Sequence, residues 1–481
     1  MYRLLLTVGL LLTTFFGISQ SITGDWKGEL EVQGTRLPIQ FHIRADSVKG
    51  YSATFDSPAQ MAYGLPCSSV ELRADSLVLF MKNLNGQYAA KFSAGATMLD
   101  GIWTQSGSSF PMKIVKERDQ ATAPRLNRPQ TPKPPFPYTS EDLIYTDSTT
   151  HLRYGATLTD PSGKTPQNGF PAVLLITGSG QQDRDETLLG HKPFAVIADY
   201  LSRRGIAVMR IDDRGVGKTT GDPSKATSAD FALDVQASLR YLKTRKEINK
   251  TQIGLLGHSE GGMIAPMVAA KDPEIAWIIL LAGPGIPIMN LMEQQSADVL
   301  KSQGVEQQAI EQYRIVYRNL LTAILNHADE PGAKDAADAV LQHWMLQTAS
   351  GIVEATTGIR DEASRKNFIQ AFVRQIYNPW MRYFLKYDPA ENLKHVKCPV
   401  LALNAANDIQ VAAEPNIEAI KRILLQSGNQ NVEAHIFPSL NHLFQPCETC
   451  TLTEYALIET TISEPVLQRI AEWIQKKTAL K

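Results

Sequence analysis

Beyond residue 170 the chain repeats one pattern: a short apolar, β-branched run, then a stretch with helical spacing. The runs are AVLLIT, GIAVMRID, QIGLLG, AWIILLAG, PVLALNA and VEAHIFP. Strands this uniformly apolar need cover on both faces, and strands joined through helices run parallel. The expected fold class is therefore α/β, a mostly parallel sheet with helices on both faces. The alternation breaks once, between Gly285 and about Pro389, where helical spacing dominates in EQYRIVYRNLLTAIL and NFIQAFVRQIY. A helical insertion between two strands would lie over the carboxyl ends of the sheet, so a lid is expected over about residues 286–389.

Upstream the period changes. From Ile22 to about Glu117, segments such as LPIQFHIR, SVELRA, SLVLFMK and YAAKFS alternate with period two between turn residues. That predicts a small antiparallel all-β domain over residues 20–117. Trp26 and Trp103, in GDWKG and DGIWTQ, read as packing residues of that domain. Residues 118–139 collect Pro124, Pro129, Pro132, Pro134, Pro135 and Pro137 and read as a semi-rigid linker, which leaves residues 140–481 for the α/β domain.

Residues 1–19 have the grammar of a signal peptide: one basic residue, an apolar run from Leu4 to Phe16, then Gly17 and Ser19 before cleavage near Gln20. The run is well short of the ~20 residues that span a bilayer, so the mature protein is expected to be secreted or periplasmic, with no membrane span. Charge is balanced, 48 Lys and Arg against 49 Asp and Glu, with no long run of one sign. This excludes the electrostatic footprint of a nucleic-acid binder and leaves a small-molecule partner.

The segment IGLLGHSEGGMIAP holds G-x-S-x-G at Gly257, His258, Ser259, Glu260 and Gly261, directly between a strand-like and a helix-like run. A serine hydroxyl is a weak nucleophile unless a sharp strand-to-helix turn lifts it clear of the sheet beside a base. The same turn frees the backbone amide of Glu260 to face a developing oxyanion. Partners of such a serine follow in the order acid, then histidine. His327 and His343 fall in the helical insertion, His395 precedes the strand expected to deliver the acid, and His435 lies within the last strand pattern. His442, in the loop PSLNHLFQP, is therefore the expected base. Asp408, just past PVLALNA, is the expected acid that fixes the imidazole tautomer, ahead of the more distant Glu414. The loop after AVLLIT offers a second oxyanion donor, the amide of Ser179, with Gly180 as its alternative. Gly180, Gln181 and Asp183 are candidate pocket residues, although Asp183, Arg184 and Asp185 could equally pair with one another. GVGKTT resembles the end of a phosphate-binding loop, but Asp212 stands where that loop needs glycine, so it reads as a structural turn.

These residues together resemble secreted bacterial carboxylesterases of the EstD type, within the serine-aminopeptidase-like α/β hydrolases. The matching pieces are GSGQQDRDE, IADYLSRRGIAVMRIDDRGVGK, GLLGHSEGGMIAP, LLAGPG, CPVLALNAANDIQV and LNHLFQ with EYALIETTISEPVL, in shared order from the linker onward. The resemblance implies an α/β-hydrolase fold preceded by a β domain, a triad of Ser259, Asp408 and His442, and esterase activity on short acyl chains. Gln181 departs from the group, which commonly has Pro there.

The leading functional expectation is a serine esterase acting on a small-molecule ester, an acylated carbohydrate among the candidates. It would work through an acyl-enzyme and need neither metal nor organic cofactor. A serine aminopeptidase-like enzyme would share the triad but need an acidic group for the substrate's amine. A non-catalytic carbohydrate-binding protein on the same fold would have no use for an intact triad. Cys447 and Cys450, close beyond His442, are expected to pair in an oxidising compartment and pin the loop that carries the base.

Overall fold

Period-two alternation in the N-terminal third produces nine strands: β1 (Gly24–Val32), β2 (Thr35–Asp46), β3 (Gly50–Ser57), β4 (Ala62–Pro66), β5 (Ser69–Arg73), β6 (Ser76–Met81), β7 (Gly86–Phe92), β8 (Met98–Gln105) and β9 (Ser108–Lys116). The computed structural model describes residues 22–116, apart from 33–34, 47–49, 58–61, 74, 82–85, 94–96 and 106–107, and residues 127–478. The expected signal peptide lies outside the described residues. The chain divides into two units, Met1–Arg125 and Leu126–Lys481.

In the first unit the nine strands form one antiparallel sheet, ordered β4-β3-β2-β1-β9-β8-β7-β6-β5. Phe41 on β2 stacks on Tyr88 of β7 at 5.6 Å, although several strands separate them, so the sheet curls around its apolar face. Trp26 and Trp103 are both buried there, as core residues. Their polar ends stay satisfied: the Trp26 indole donates to the Ile22 carbonyl, and that of Trp103 to Gln105.

In the second unit the apolar runs form a sheet of eight strands. These are β10 (Tyr138–Thr146), β11 (Arg153–Pro161), β12 (Phe170–Ile176), β13 (Ala207–Ile211), β14 (Ile248–His258), β15 (Ile278–Leu281), β16 (Val400–Ala405) and β17 (Val432–Phe437). Their order is β10-β11-β13-β12-β14-β15-β16-β17; β11 pairs antiparallel with both β10 and β13, and the six strands from β13 to β17 run parallel to one another. Side chains on one strand divide between two cores. Leu174 and Leu255 pack under α2 (Ser228–Leu242), α3 (Glu260–Ala269) and α11 (Ala413–Gln426). Val173, Leu175 and Leu256 pack under α1 (Pro193–Ser202) and α12 (Glu464–Thr478). Cover on both faces is why these strands could be apolar throughout.

Seven helices stand between β15 and β16: α4 (Ile288–Ser302), α5 (Gln307–Leu325), α6 (Glu330–Gln347), α7 (Ser350–Thr357), α8 (Glu362–Ile376), α9 (Pro379–Lys386) and α10 (Ala390–Leu393). Among the described residues, no helix is long and apolar enough to cross a membrane.

The proline-rich stretch differs from the expected spacer. Its described part is fastened to the second unit: Arg128 donates to the carbonyls of Leu189, Ala456 and Ile458, and Gln130 bonds Thr461 and Ile462. Strand β10 already opens at Tyr138. Composition signals stiffness, but acceptor carbonyls on distant loops decide whether a stiff segment is free.

Candidate active site

Four of the parallel strands, β12, β14, β16 and β17, end on the same edge of the sheet, and each delivers one part of the site. Ser259 sits at the turn from β14 into α3 with φ 52° and ψ −116°, a left-handed conformation that side chains rarely adopt. The flanking glycines make that turn possible: a Cβ on Gly257 would stand 2.0 Å from the Gly261 carbonyl oxygen, and one on Gly261 2.1 Å from that of Ile176. The Ser259 amide is used by the fold, donating to the Leu281 carbonyl at 2.8 Å. That of Glu260, first in its helix, has no intrahelical acceptor.

Asp408 lies in the loop after β16 and His442 in the loop after β17, 5% and 4% exposed. His442 Nδ1 is 2.7 Å from Asp408 Oδ2. The other carboxylate oxygen accepts the amides of Gln410 and Val411, both at 2.8 Å. Asn441 holds the histidine loop from within, accepting the amides of Leu443 and Gln445. Glu414 is exposed on α11, and His435 is exposed and turned against Phe437.

Ser259 and His442 line one cavity of about 240 Å³. Its wall is largely apolar, with Leu188 and Pro193 from the β12 side, Leu291, Trp380 and Phe384 from the helical insertion, and Val411 from the acid loop. Ser179 and Glu260 also line it. Among the described residues, no group of three His, Cys, Asp or Glu side chains is placed to hold a metal ion.

Three of the expected pocket residues are displaced. Gln181 and Asp183 do not line this cavity, and Gly180 lines a smaller one behind it; Gln182 and Glu186 take their place. The reason is local. Gly180 turns the chain with φ 103°, and Asp183 caps its own turn by accepting the amides of Asp185 and Thr187. Arg184 and Asp185 do not pair with each other: Arg184 bonds Asp212, and Asp185 bonds Arg210 and Lys192.

Carboxyl groups brace the loop after β12. Asp213 accepts the Thr177 hydroxyl at 2.6 Å and the Gln182 amide at 2.9 Å, and burial pushes this carboxyl up to about 8. Glu186 accepts the Gly178 amide at 2.7 Å. Burial also raises the Glu260 carboxyl, against the donors Ser228 (2.6 Å), Trp380 (2.8 Å) and Ser179. Trp380 thereby ties the helical insertion to the turn that holds Ser259. Sequence reasoning missed Glu186, His258, Trp380 and the Glu260 side chain; only the position of His258 and Glu260 beside the nucleophile could have drawn notice.

Cys447 and Cys450 are joined by a disulfide, and Cys450 Sγ accepts from the Asn407 side chain, beside Asp408.

Residues 192–371 match the family described as serine aminopeptidase, S33. The chain is 26% identical over 321 residues to esterase EstD of Thermotoga maritima, covering 66% of this chain and 65% of that protein. It is 36% identical over 87 residues to protein bem46 of Schizosaccharomyces pombe, covering 18% of this chain and 27% of that one. Among solved structures, the Pyrococcus furiosus esterase Pf2001 aligns with a TM-score of 0.40 at 14% identity, over 70% of this chain and 93% of that one.

Proposed function

We propose that the chain, which matches the serine aminopeptidase, S33, family over residues 192–371 and is similar to esterase EstD, is a serine carboxylesterase that cleaves short-chain acyl esters through Ser259, His442 and Asp408. One observation carries the reading: a serine on a strained strand-to-helix turn shares an apolar cavity with a histidine whose far nitrogen is held by a buried carboxylate. In this reading His442 Nε2 takes the Ser259 proton as the hydroxyl attacks the acyl carbon, and Asp408 stabilises the imidazolium. The amides of Glu260 and Ser179 receive the oxyanion. His442 then protonates the leaving alkoxide, and water attacks the acyl-serine by the same steps in reverse roles. A cavity of about 240 Å³ stands below the ~300–1,000 Å³ of sites for drug-sized ligands, which suits a short acyl group. The helical insertion supplies part of that wall and acts as the lid.

A peptidase that captures a substrate ammonium needs a carboxylate free to receive it. The two carboxyls on the cavity wall, Glu186 and Glu260, are already engaged by His258 and by Ser228 and Trp380, which favours the ester. The Met1–Ser19 segment supports export, and the mature chain would then begin near Gln20, as intact mass of the exported protein would check.

Ser259→Ala should abolish hydrolysis of p-nitrophenyl acetate and butyrate and all labelling by a fluorophosphonate, with an unchanged melting temperature. Undiminished turnover in that variant would overturn the assignment. Cleavage of aminoacyl anilides in preference to the esters would favour the peptidase.

A further inference from the structure

The residue before Ser259 is a histidine with no role in the mechanism above. His258 is buried, and each of its ring nitrogens has one partner: Nδ1 lies 3.0 Å from Glu186 Oε1, and Nε2 lies 3.2 Å from the backbone oxygen of His442. Glu186 is buried too, and the same Oε1 accepts the Gly178 amide at 2.7 Å. Two side chains thus join three pieces of backbone: the loop after β12 at Gly178, the end of β14 at His258, and the histidine loop at His442.

We propose that Glu186 and His258 form a buried positioning pair that locks the oxyanion loop to the loop of the catalytic histidine, an inference that rests on the reading of Ser259, Asp408 and His442 as the active site. Donor accounting gives the pair its character. The His442 carbonyl can only accept, so Nε2 must donate to it. The Glu186 carboxylate likewise accepts, so Nδ1 must donate as well. A ring that donates from both nitrogens is an imidazolium, balanced here by the carboxylate at its side. Burial opposes that charge most strongly, and the Glu186 carboxylate, the His442 carbonyl and Asp408 together outweigh it, raising the imidazole above its ordinary value. The placement fits the role. Glu186 itself has φ 52°, a backbone position that side chains seldom occupy and that aims its carboxylate back at Gly178. The His258 and His442 rings lie 4.9 Å apart, so a shift of one displaces the other.

A positioning pair acts on the transition state, because substrate binding in the apolar cavity does not depend on the aim of the Ser179 amide or of His442 Nε2. Glu186→Gln keeps the shape and an acceptor for Gly178 but cannot balance an imidazolium, so one of the two ring bonds must go. Expected is a fall in kcat of ~10–100-fold, as for small misplacements of reacting groups, with KM within about threefold. His258→Asn should lose a comparable amount, and the double variant little more than either, since the two act as a unit. The full-length protein also allows a test without substitution. ¹⁵N NMR of the histidine rings should show His258 protonated at both nitrogens at a pH where an exposed histidine is neutral.

A His258 with one bare nitrogen would overturn the pair, as would folded Glu186→Gln and His258→Asn enzymes with kcat within twofold of wild type. So would losses that are additive or confined to KM. Ser259→Ala separates the two ideas. If that variant is inactive while Glu186→Gln is normal, the pair alone fails; if it is active, the site itself has been misread.

Discussion

Replacing Asp408 with asparagine changes one atom of a carboxylate whose surroundings are known in full. Oδ1 accepts the amides of Gln410 and Val411, and Oδ2 faces His442 Nδ1 at 2.7 Å. An asparagine keeps its oxygen toward the two amides, so its NH₂ must face Nδ1 and donate to it. The imidazole is then held in the tautomer that carries its proton on Nε2, the nitrogen required to accept the proton of Ser259. To escape, the asparagine must flip and leave two buried amides without an acceptor, at ~1–3 kcal/mol each. A penalty of ~2–6 kcal/mol on the productive tautomer corresponds to a loss of roughly 30-fold to somewhat over 10⁴-fold in kcat. The fold should barely notice, because the amide bonds survive, and a change under ~1 kcal/mol in unfolding free energy is expected. Initial rates on p-nitrophenyl butyrate, with a melting curve for each preparation, measure both quantities. A correctly folded Asp408→Asn enzyme within tenfold of wild type would refute the reasoning, and a comparable loss in Glu414→Gln would move the acid.

Asp213 makes stability depend on pH. Its carboxyl, pushed up to about 8 in the folded protein, keeps a proton that the unfolded chain releases near ~4, so the group's contribution falls as pH rises through that window. Melting temperatures at about pH 5 and about pH 8 should therefore differ less in Asp213→Asn than in wild type; an equal difference would show that Asp213 is not the source. Removing residues 1–125 should leave an active hydrolase, whereas removing 1–139 should lower its melting temperature or solubility, because Arg128, Gln130 and the start of β10 go with it. Equal stability of the two truncations, by thermal melt, would make the docked proline segment inert. Replacing both Cys447 and Cys450 by serine should lower kcat by ~fivefold, the value of about one hydrogen bond beside Asp408, with little loss of stability from so short a loop; unchanged turnover would separate the disulfide from the site.

Much of the second unit was legible because its strands obey a strong rule: runs such as AVLLIT and PVLALNA are almost continuously apolar, as strands covered on both faces are. The turn at Ser259 was legible because two of its positions accept nothing larger than glycine. Asp408 and His442 could be found by their order after the sheet strands, which local sequence records. Glu186 could not. It ends a run of charged residues, QDRDE, that reads as solvated loop, and its two partners come from β12 and β14 through a backbone turn that no periodicity encodes. Arg128 was hidden for the same reason: a composition rich in proline predicts stiffness but not the three carbonyls it meets across the fold. Trp380 looked like one more apolar residue of a helical stretch, and its indole partner lies in a different element.

The parts of the candidate site are drawn from widely spaced strand ends, the first at Gly178 and the last at His442, with the whole helical insertion between them. A chain still emerging from the ribosome has made the proposed nucleophile, Ser259, long before the proposed base, His442, and β17 must pair with β16 before that histidine has a place to stand. On the proposed reading, the newborn polypeptide is chemically silent for nearly all of its synthesis, and esters around it are untouched until the tail arrives. The same reading expects a premature stop anywhere before His442 to yield a dead fragment rather than a promiscuous one.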